Sequence, residues 1–536
     1  MPDVIHGPDR RPSQAGRSLF DYADEVSAAV PQSCRRSGRC RECVVEVRQG
    51  LERLSARTEV EAYLPGDFRL ACQARIDSEE SDVEFAIIRR RMRILEDSDA
   101  PLTEIDPVVT IDAHTVRYDG IPIDLRREHV LGLAIDVGTT TVAFHIVDLL
   151  SGRIVGGGAL ENPQRFGGSD VMSRISYERD HPGTMRSALR RALNHTLRDT
   201  YIELGIDRHE VYEAMVVANS TMRDLFFDLD ISPIGEMPYK STTELAVLAG
   251  GAESTWLSRR AHQVGLLMHP HGRVVGAPII ASHVGGDVAA DLVATDFARQ
   301  PGVSMLVDIG TNTEVVVSDG ETMLAASCPA GPAFEGGLLR FGMPGADGAI
   351  ESVRIEEGRF SYRTIGDAEP QGICGSGLVD ILAEFRRVDW MSPQGRFADG
   401  LDEYIVAAER GISFSRSDAS LLAQAKAANA CGQRILLRQL GVSPGQVDRV
   451  FLAGGFANAI DVGNAIAIGF LAPVPAERVH RVGNSALRGA AMLLLSRRRR
   501  QELDVTVSRI TNVELETEAD FFELFVDGCQ FMPLVA

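Results

Sequence analysis

Lysine is almost missing from this chain. Lys240 and Lys426 are the two lysines among 55 basic residues, so arginine carries the positive charge. The pattern reads as a codon bias rather than a site. Also missing is any apolar run long enough to span a bilayer. The opening MPDVIHGPDRRPSQAG lacks the apolar core of a signal peptide. A cytoplasmic location with no membrane partner is the expectation. A basic surplus is absent too: the net charge of -20 argues against nucleic acid or an anionic membrane as the main partner. What remains is ample core material. With 536 residues, 44% of them hydrophobic, the chain has the size of about three to five domains or subdomains.

Cysteine is scarce but clustered. Four of the eight fall in the first 72 residues: Cys34, Cys40 and Cys43 in CRRSGRCREC, then Cys72 in RLACQARI. In a reducing compartment, clustered thiols point to metal or redox chemistry. Four soft thiolates suit zinc or a 2Fe–2S cluster. Zinc sites usually use two short CxxC pairs, whereas here three ligands share one loop. The plant-type cluster spacing is C-x4-C-x2-C…C, and this chain has one residue more in the first gap. Gly38 lets the loop turn tightly. Zinc and unligated structural cysteines remain the alternatives. The spacing resembles that of adrenodoxin-like ferredoxins.

Around these cysteines, residues 1–85 read as one small module. SLFDYADEVSAAV has helical spacing, CVVEVRQG reads as a strand, and YLPGDFRLACQARI as a turn followed by a strand carrying Cys72. Ferredoxin folds of this kind open with a hairpin. Few residues before the helix look strand-like, so a short or missing first strand is expected. Residues 77–107 are rich in both signs of charge, and 86–127 read as a linker. FAIIRRRMRIL, residues 85–95, reads as a strand or short helix, an edge strand with solvated arginines being the plainer alternative.

From residue 131 an internal duplication dominates. LGLAIDVGTTTVAFHIVDLLSGRIV is echoed by SMLVDIGTNTEVVVSDGETMLAAS, each an apolar strand, an Asp, a Gly-hydroxyl turn and further strands. Asp136 and Asp308 end the first strand of each copy, where an Asp typically holds Mg²⁺ through water. Gly138, Thr139, Thr140 and Thr141, with Gly310, Thr311 and Asn312, supply close backbone approach and donors for phosphates. In VFLAGGFANAID, Gly454, Gly455 and Phe456 would frame a nucleoside; an ordinary strand-to-helix turn is the bland reading. Asp287 in GGDVAA could orient an attacking water or simply cap a helix. The copies define a first lobe over 128–297 and a second over 298–536.

These three motifs resemble the actin-like ATPase superfamily. ENPQRFGGSDVMSRI, VVANSTM, SCPAGPAFEGG, GICGSGLVDILAE and VGNSALRGAAML sharpen this: the chain resembles the reductive activators of corrinoid proteins over nearly its whole length. The resemblance implies an α/β fold. A β-grasp ferredoxin-like domain would precede a duplicated actin-like (ASKHA, ribonuclease H-like) ATPase of two lobes. It implies a 2Fe–2S cluster on Cys34, Cys40, Cys43 and Cys72, ATP and Mg²⁺. It further implies an ATP-hydrolysing enzyme that passes one electron to inactive cob(II)amide on a corrinoid protein, restoring cob(I)amide. An upstream electron donor is required, and a homodimer is left open. The family's loop resembles CGGxGxCGxC; arginines replace several of its glycines here. Competing readings are a small-molecule kinase with a structural metal module and an ATP-driven remodelling or redox-sensing protein.

Smaller features carry paired readings. Cys328 and Cys374 read as buried thiols or as ligands of an intersubunit cluster. Arg497–Arg500 reads as a helix end or a partner patch. Lys426 reads as a solvated helix lysine or a nucleotide contact. GSDVMSRIS reads as turn-plus-helix packing or a corrinoid-partner contact.

Overall fold

The computed structural model describes residues 2–7, 9–26, 30, 36–38, 43–87, 91–92, 102, 104–336, 339–398, 400–455 and 457–534. The N-terminal module is a five-stranded sheet of β1 (Asp3–His6), β2 (Asp9–Pro12), β3 (Val44–Gln49), β4 (Phe68–Leu70) and β5 (Val83–Ile87), ordered β2-β1-β5-β3-β4. The opening hairpin, expected to be short or missing, is present and short. Its strand β1 pairs antiparallel with β2 and parallel with β5. Four residues are too few for alternation to stand out in sequence. Helix α1 (Leu19–Glu25) starts at Ser18, which exchanges capping hydrogen bonds with Asp21. It buries Leu19, Phe20, Tyr22 and Ala23 in the module's core. β4 stops at Leu70, so Cys72 lies in the turn beyond the strand. There the Ala71 N–H donates to the Cys43 carbonyl at 2.8 Å.

The stretch 86–127, read as a linker, carries structure. β6 (Arg91–Met92) adds to the edge of the next sheet. β7 (Val109–Asp112), β8 (Thr115–Tyr118) and β9 (Ile121–Leu125) form an antiparallel meander. Val109 and Val116 are fully buried against the first lobe, and the Tyr118 hydroxyl donates to Glu213 at 2.8 Å.

The first lobe holds β10 (Leu131–Val137), β11 (Thr141–Asp148) and β12 (Ile154–Glu161), then α2 (Val171–Asp180), α3 (Thr184–Leu204) and β13 (Val211–Ala218). After α4 (Ser220–Phe226) and α5 (Thr242–Leu248) come β14 (Leu257–Arg260), α6 (Ala261–Val264), β15 (Arg273–Gly276) and α7 (Gly286–Ala294). The second lobe repeats the plan with β16 (Ser304–Ile309), β17 (Thr313–Ser318) and β18 (Met323–Cys328). An insert follows, of β19 (Ala349–Glu356), β20 (Arg359–Thr364), β21 (Gly372–Ile373), α8 (Gly375–Arg387), β22 (Glu403–Ala407) and β23 (Ile412–Ser415). Then come α9 (Arg416–Leu440), β24 (Arg449–Gly454), α10 (Val462–Ala467), β25 (Val479–Gly483), α11 (Ser485–Leu495), α12 (Arg497–Arg509), β26 (Ile510–Asn512) and α13 (Phe521–Gly528). The duplication is visible in strand order: β15-β13-β10-β11-β12 in one sheet, β25-β24-β16-β17-β18 in the other.

Sequence halves and spatial lobes do not coincide. Val288 and Leu292 of α7, from the first half, pack on Leu306, Val316 and Ala325 of the second sheet. Ala486, Leu487, Ala490 and Leu494 of α11, from the second half, pack on Ala134, Val147, Met215 and Val217 of the first. Each leucine buried this way stabilises the fold by roughly 1.5–3 kcal/mol. The two exchanged helices also pack on each other, which ties the lobes at one seam.

Two smaller expectations are corrected. Arg497–Arg500 opens α12, capped by Ser496, rather than ending a helix. The unfavourable dipole there is offset by carboxylates. Arg500 makes a two-pronged pair with buried Glu213, and Arg499 pairs with Glu104 and Asp296. Lys426 is neither solvated nor at the nucleotide motifs. It is buried on α9, and its Nζ donates to the Gln530 carbonyl at 2.7 Å.

Candidate functional site

A cleft of about 280 Å³ lies between the lobes. The two Gly-hydroxyl turns face each other across it because β10 and β16 occupy equivalent places in their sheets. Asp136, Gly138, Thr139, Thr140 and Thr141 line one wall, and Asp308, Gly310, Thr311 and Asn312 the other. Gly454, Gly455 and Asp287 complete it. Phe456 falls outside the described residues.

The glycines differ in their reasons. A Cβ at Gly138 would stand 2.7 Å from the Thr141 carbonyl oxygen, so the tight turn itself demands glycine. Gly454 has φ +112°, and a Cβ there would meet the Ile309 carbonyl at 2.1 Å. Its requirement comes from the neighbouring strand. Gly455 has nothing within 4 Å of its Cβ position and leaves open room on the cleft wall.

Carboxyls crowd the floor. Burial pushes Asp136 and Asp308 up to about 7 and Asp287 up to about 6; neighbouring carboxylates add to it for Asp136 and Asp308. Asp291 and Glu314 are raised well above the usual range, burial again leading and carboxylate repulsion adding. Partial relief comes from neutral donors. Asn484 Nδ2 donates to Asp136 at 2.9 Å, the Ser485 hydroxyl to Asp291 at 2.6 Å and the Ser327 hydroxyl to Glu314 at 3.0 Å. Among the described residues, no three His, Cys, Asp or Glu side chains converge to hold a metal directly. The helix-cap reading of Asp287 does not hold: α7 is capped at Gly285, and Asp287 stands in the first turn facing the cleft.

Several participants carry no role from sequence. Glu335 accepts from the hydroxyls of Thr140, at 2.9 Å, and Thr311, so one carboxylate ties both turns. Asn162 Nδ2 donates to the Gly138 carbonyl at 2.8 Å, and Arg174 to the Thr139 carbonyl at 2.6 Å. Asn219 Nδ2 donates to the Thr139 hydroxyl at 3.0 Å. All of these, with Asn484 and Ser485, lie inside motifs quoted above. For Glu335, Asn162 and Asn484, nearby glycines and prolines were the available signal; Asn219 and Arg174 had none.

The segment that braces the first turn also seats the N-terminal module. Phe166 meets Tyr63 and Tyr177 edge-on, with centroids 5.8 and 5.5 Å away, and the Tyr177 hydroxyl donates to the Tyr63 carbonyl. Arg165 pairs with Glu46 at 3.1 Å. Within the module, the Cys43 and Cys72 sulfurs are 3.3 Å apart and buried. Two soft donors at that separation fit adjacent ligands of one iron. Cys34 and Cys40 lie outside the described residues. Cys328 is fully buried, and Cys374 is buried along the cleft wall.

Comparison with known proteins covers the chain in three parts. Residues 7–77 match the 2Fe–2S iron-sulfur cluster binding domain, 131–300 the RACo middle region, and 302–534 the C-terminal (ASKHA) domain of RACo. The corrinoid activation enzyme RamQ of Eubacterium limosum is 30% identical over 440 residues, 77% of this chain and 72% of that one. A Co(II) methylated amine-specific corrinoid protein reductase of Methanosarcina barkeri is 23% identical over 407 residues, covering 71% and 73%. A solved structure of a reductive activator for a corrinoid, iron-sulfur protein superposes with a TM-score of 0.72 at 27% identity, over 99% of this chain and 98% of that one.

Proposed function

The chain belongs to the family of reductive activators of corrinoid proteins, and we infer from this that it is an ATP-dependent enzyme returning one electron to inactive cob(II)amide on a corrinoid protein. The curated relatives bear names of corrinoid activation and corrinoid-protein reduction rather than of a kinase. One observation carries the mechanistic reading: the segment from Asn162 to Tyr177 holds both a phosphate turn and the cysteine module.

Cys34, Cys40, Cys43 and Cys72 are the proposed ligands of a 2Fe–2S cluster, which supplies a one-electron carrier when bound. Plant-type clusters lie near ~-400 mV. The Co(II)/Co(I) couple is harder to reduce, so the transfer needs coupling to ATP. Asp136 and Asp308 position Mg²⁺ through water, and their raised affinity for protons is what a cation would replace. Asp287 orients the attacking water. Gly138, Thr139, Thr140 and Thr141 hold phosphates from one side, and Gly310, Thr311 and Asn312 from the other. Gly454, Gly455 and Phe456 frame the nucleoside. Nucleotide drawn between the turns competes with Glu335 for the hydroxyls of Thr140 and Thr311 and so resets how the turns sit. Asn162 and Arg174 pass that change to the seat of the cysteine module. Such coupling works only if the two states bind the partner differently.

No helix among the described residues is long and apolar enough to cross a membrane. We place the protein in the cytoplasm, fed by a low-potential one-electron donor. The test is anaerobic spectroscopy with iron and sulfide analysis, then ATP and a cob(II)amide-loaded corrinoid protein. Two irons per chain and an ATP-dependent cob(I)amide band are expected. Zinc in place of iron, or no cobalt reduction with ATP, would sink the reading.

A further inference from the structure

We propose that Gln73 is a positioning residue that sets the cluster's reduction potential, through a side-chain hydrogen bond to Cys72. The proposal rests on the reading above that Cys72 ligates a 2Fe–2S cluster.

The Gln73 Nε2 lies 3.3 Å from the Cys72 sulfur and 3.3 Å from the Arg36 carbonyl oxygen. A primary amide nitrogen has two N–H donors. One serves the sulfur and the other the cysteine loop, so neither bond excludes the other. The amide is held from several sides. Its own backbone N–H donates to the Leu70 carbonyl at 2.8 Å. Gly38, at φ +77°, leaves the room it occupies: a Cβ at Gly38 would stand 3.2 Å from Nε2 and 2.9 Å from Val60. The loop carbonyl is held as well. Arg36 reaches Asp21 at 2.9 Å and Asp24, and its guanidinium sits 4.3 Å over the Phe20 ring. A continuous line therefore runs from α1 through Arg36 and Gln73 to the sulfur.

An electron added to a cluster increases the negative charge on its sulfurs. A donor fixed on one of them is then bonded more strongly in the reduced state, which raises the potential. Gln73 thus eases loading by the upstream donor and makes the uphill transfer to cobalt steeper. Arg36 acts one step further back, by aiming the carbonyl that orients the amide.

The experiment is an anaerobic redox titration of the full-length protein followed by EPR, for wild type, Gln73→Met and Gln73→Glu. Met keeps the length and removes the donor; Glu keeps the shape and removes the donor. Both variants are expected to retain two irons per chain. Their reduction equilibrium is expected to fall about tenfold, equivalent to about 59 mV for one electron. Variants loaded like wild type whose equilibrium moves less than twofold would overturn the proposal and leave the cluster reading intact. Wild type without iron and sulfide would overturn both. A second measurement keeps the native Gln73. Glutamine side-chain amides are labelled with ¹⁵N in a Gln32→Glu background, which removes the loop's own glutamine. Pulsed EPR of the reduced protein should show a ¹⁵N coupling, and its absence overturns the proposal even if the Met and Glu variants fail to load.

Discussion

Gly489 of α11 lies against Ala290 of α7 so closely that a Cβ at Gly489 would stand 2.0 Å from the Ala290 carbonyl oxygen. The obstacle is backbone, not a side chain that can swing away. Gly489→Ala should therefore force the two exchanged helices apart. A loss of about 1–3 kcal/mol in stability is expected, read by denaturant titration. ATP hydrolysis should fall with it, since both helices flank the cleft.

The cleft carboxyls make a pH prediction. In the unfolded chain these aspartates titrate near 3.8, whereas in the fold Asp136 and Asp308 sit at about 7 and Asp287 at about 6. Between those limits the native state holds protons that the unfolded chain has released. Their contribution to stability is present at acid pH and lost as pH rises through 6 to 7. Nucleotide-free protein in chelator should lose melting temperature between about pH 4 and 7 and change little above that. Mg–ATP should restore it most at pH 8. Asp136→Asn should flatten the chelated profile while lowering ATP turnover on the order of 10²-fold.

Glu335 binds a hydroxyl from each Gly-hydroxyl turn. Glu335→Ala should free the hydroxyls of Thr140 and Thr311 from that competitor and lower KM for ATP about tenfold. The cluster spectrum should not change. Steady-state ATPase kinetics beside the visible spectrum would check both halves; an altered spectrum would contradict the separation of the two sites.

Cys72→Ala removes one member of the buried sulfur pair. Iron content should drop and cobalt reduction should disappear. ATP hydrolysis should stay within about threefold, because the described contacts between Cys72's module and the cleft run through the Asn162–Tyr177 segment rather than through Cys72 itself. A matched iron assay and phosphate-release assay decides it.

Some of this was legible in the chain of residues and some was not. Asp136 and Asp308 stood out because Asp, Gly and hydroxyls follow an apolar strand in the same order twice. The hairpin at Asp3–Pro12 did not, because four-residue strands carry no measurable period. The exchange of α7 and α11 was hidden for another reason: an apolar helix such as SALRGAAMLLL advertises burial but not which sheet it covers. Lys426 misled because its helix face is covered by Gln530, over a hundred residues later in the chain. Glu335, Asn484 and Arg174 sat in quoted motifs without roles, since a lone polar residue does not say what it reaches across a cleft.

The helix exchange also bears on how such a chain could arise. A single copy of the repeat, made alone, would leave bare the sheet surface that the other half's helix covers and would expose the helix face that meets the other sheet. Two copies of that half would cure both defects by lending each other that helix. The cleft then lies between two like halves, each completed by a helix of the other. Joining the copies leaves the halves free to differ, and in this chain one of them braces the N-terminal module through the Asn162–Tyr177 segment.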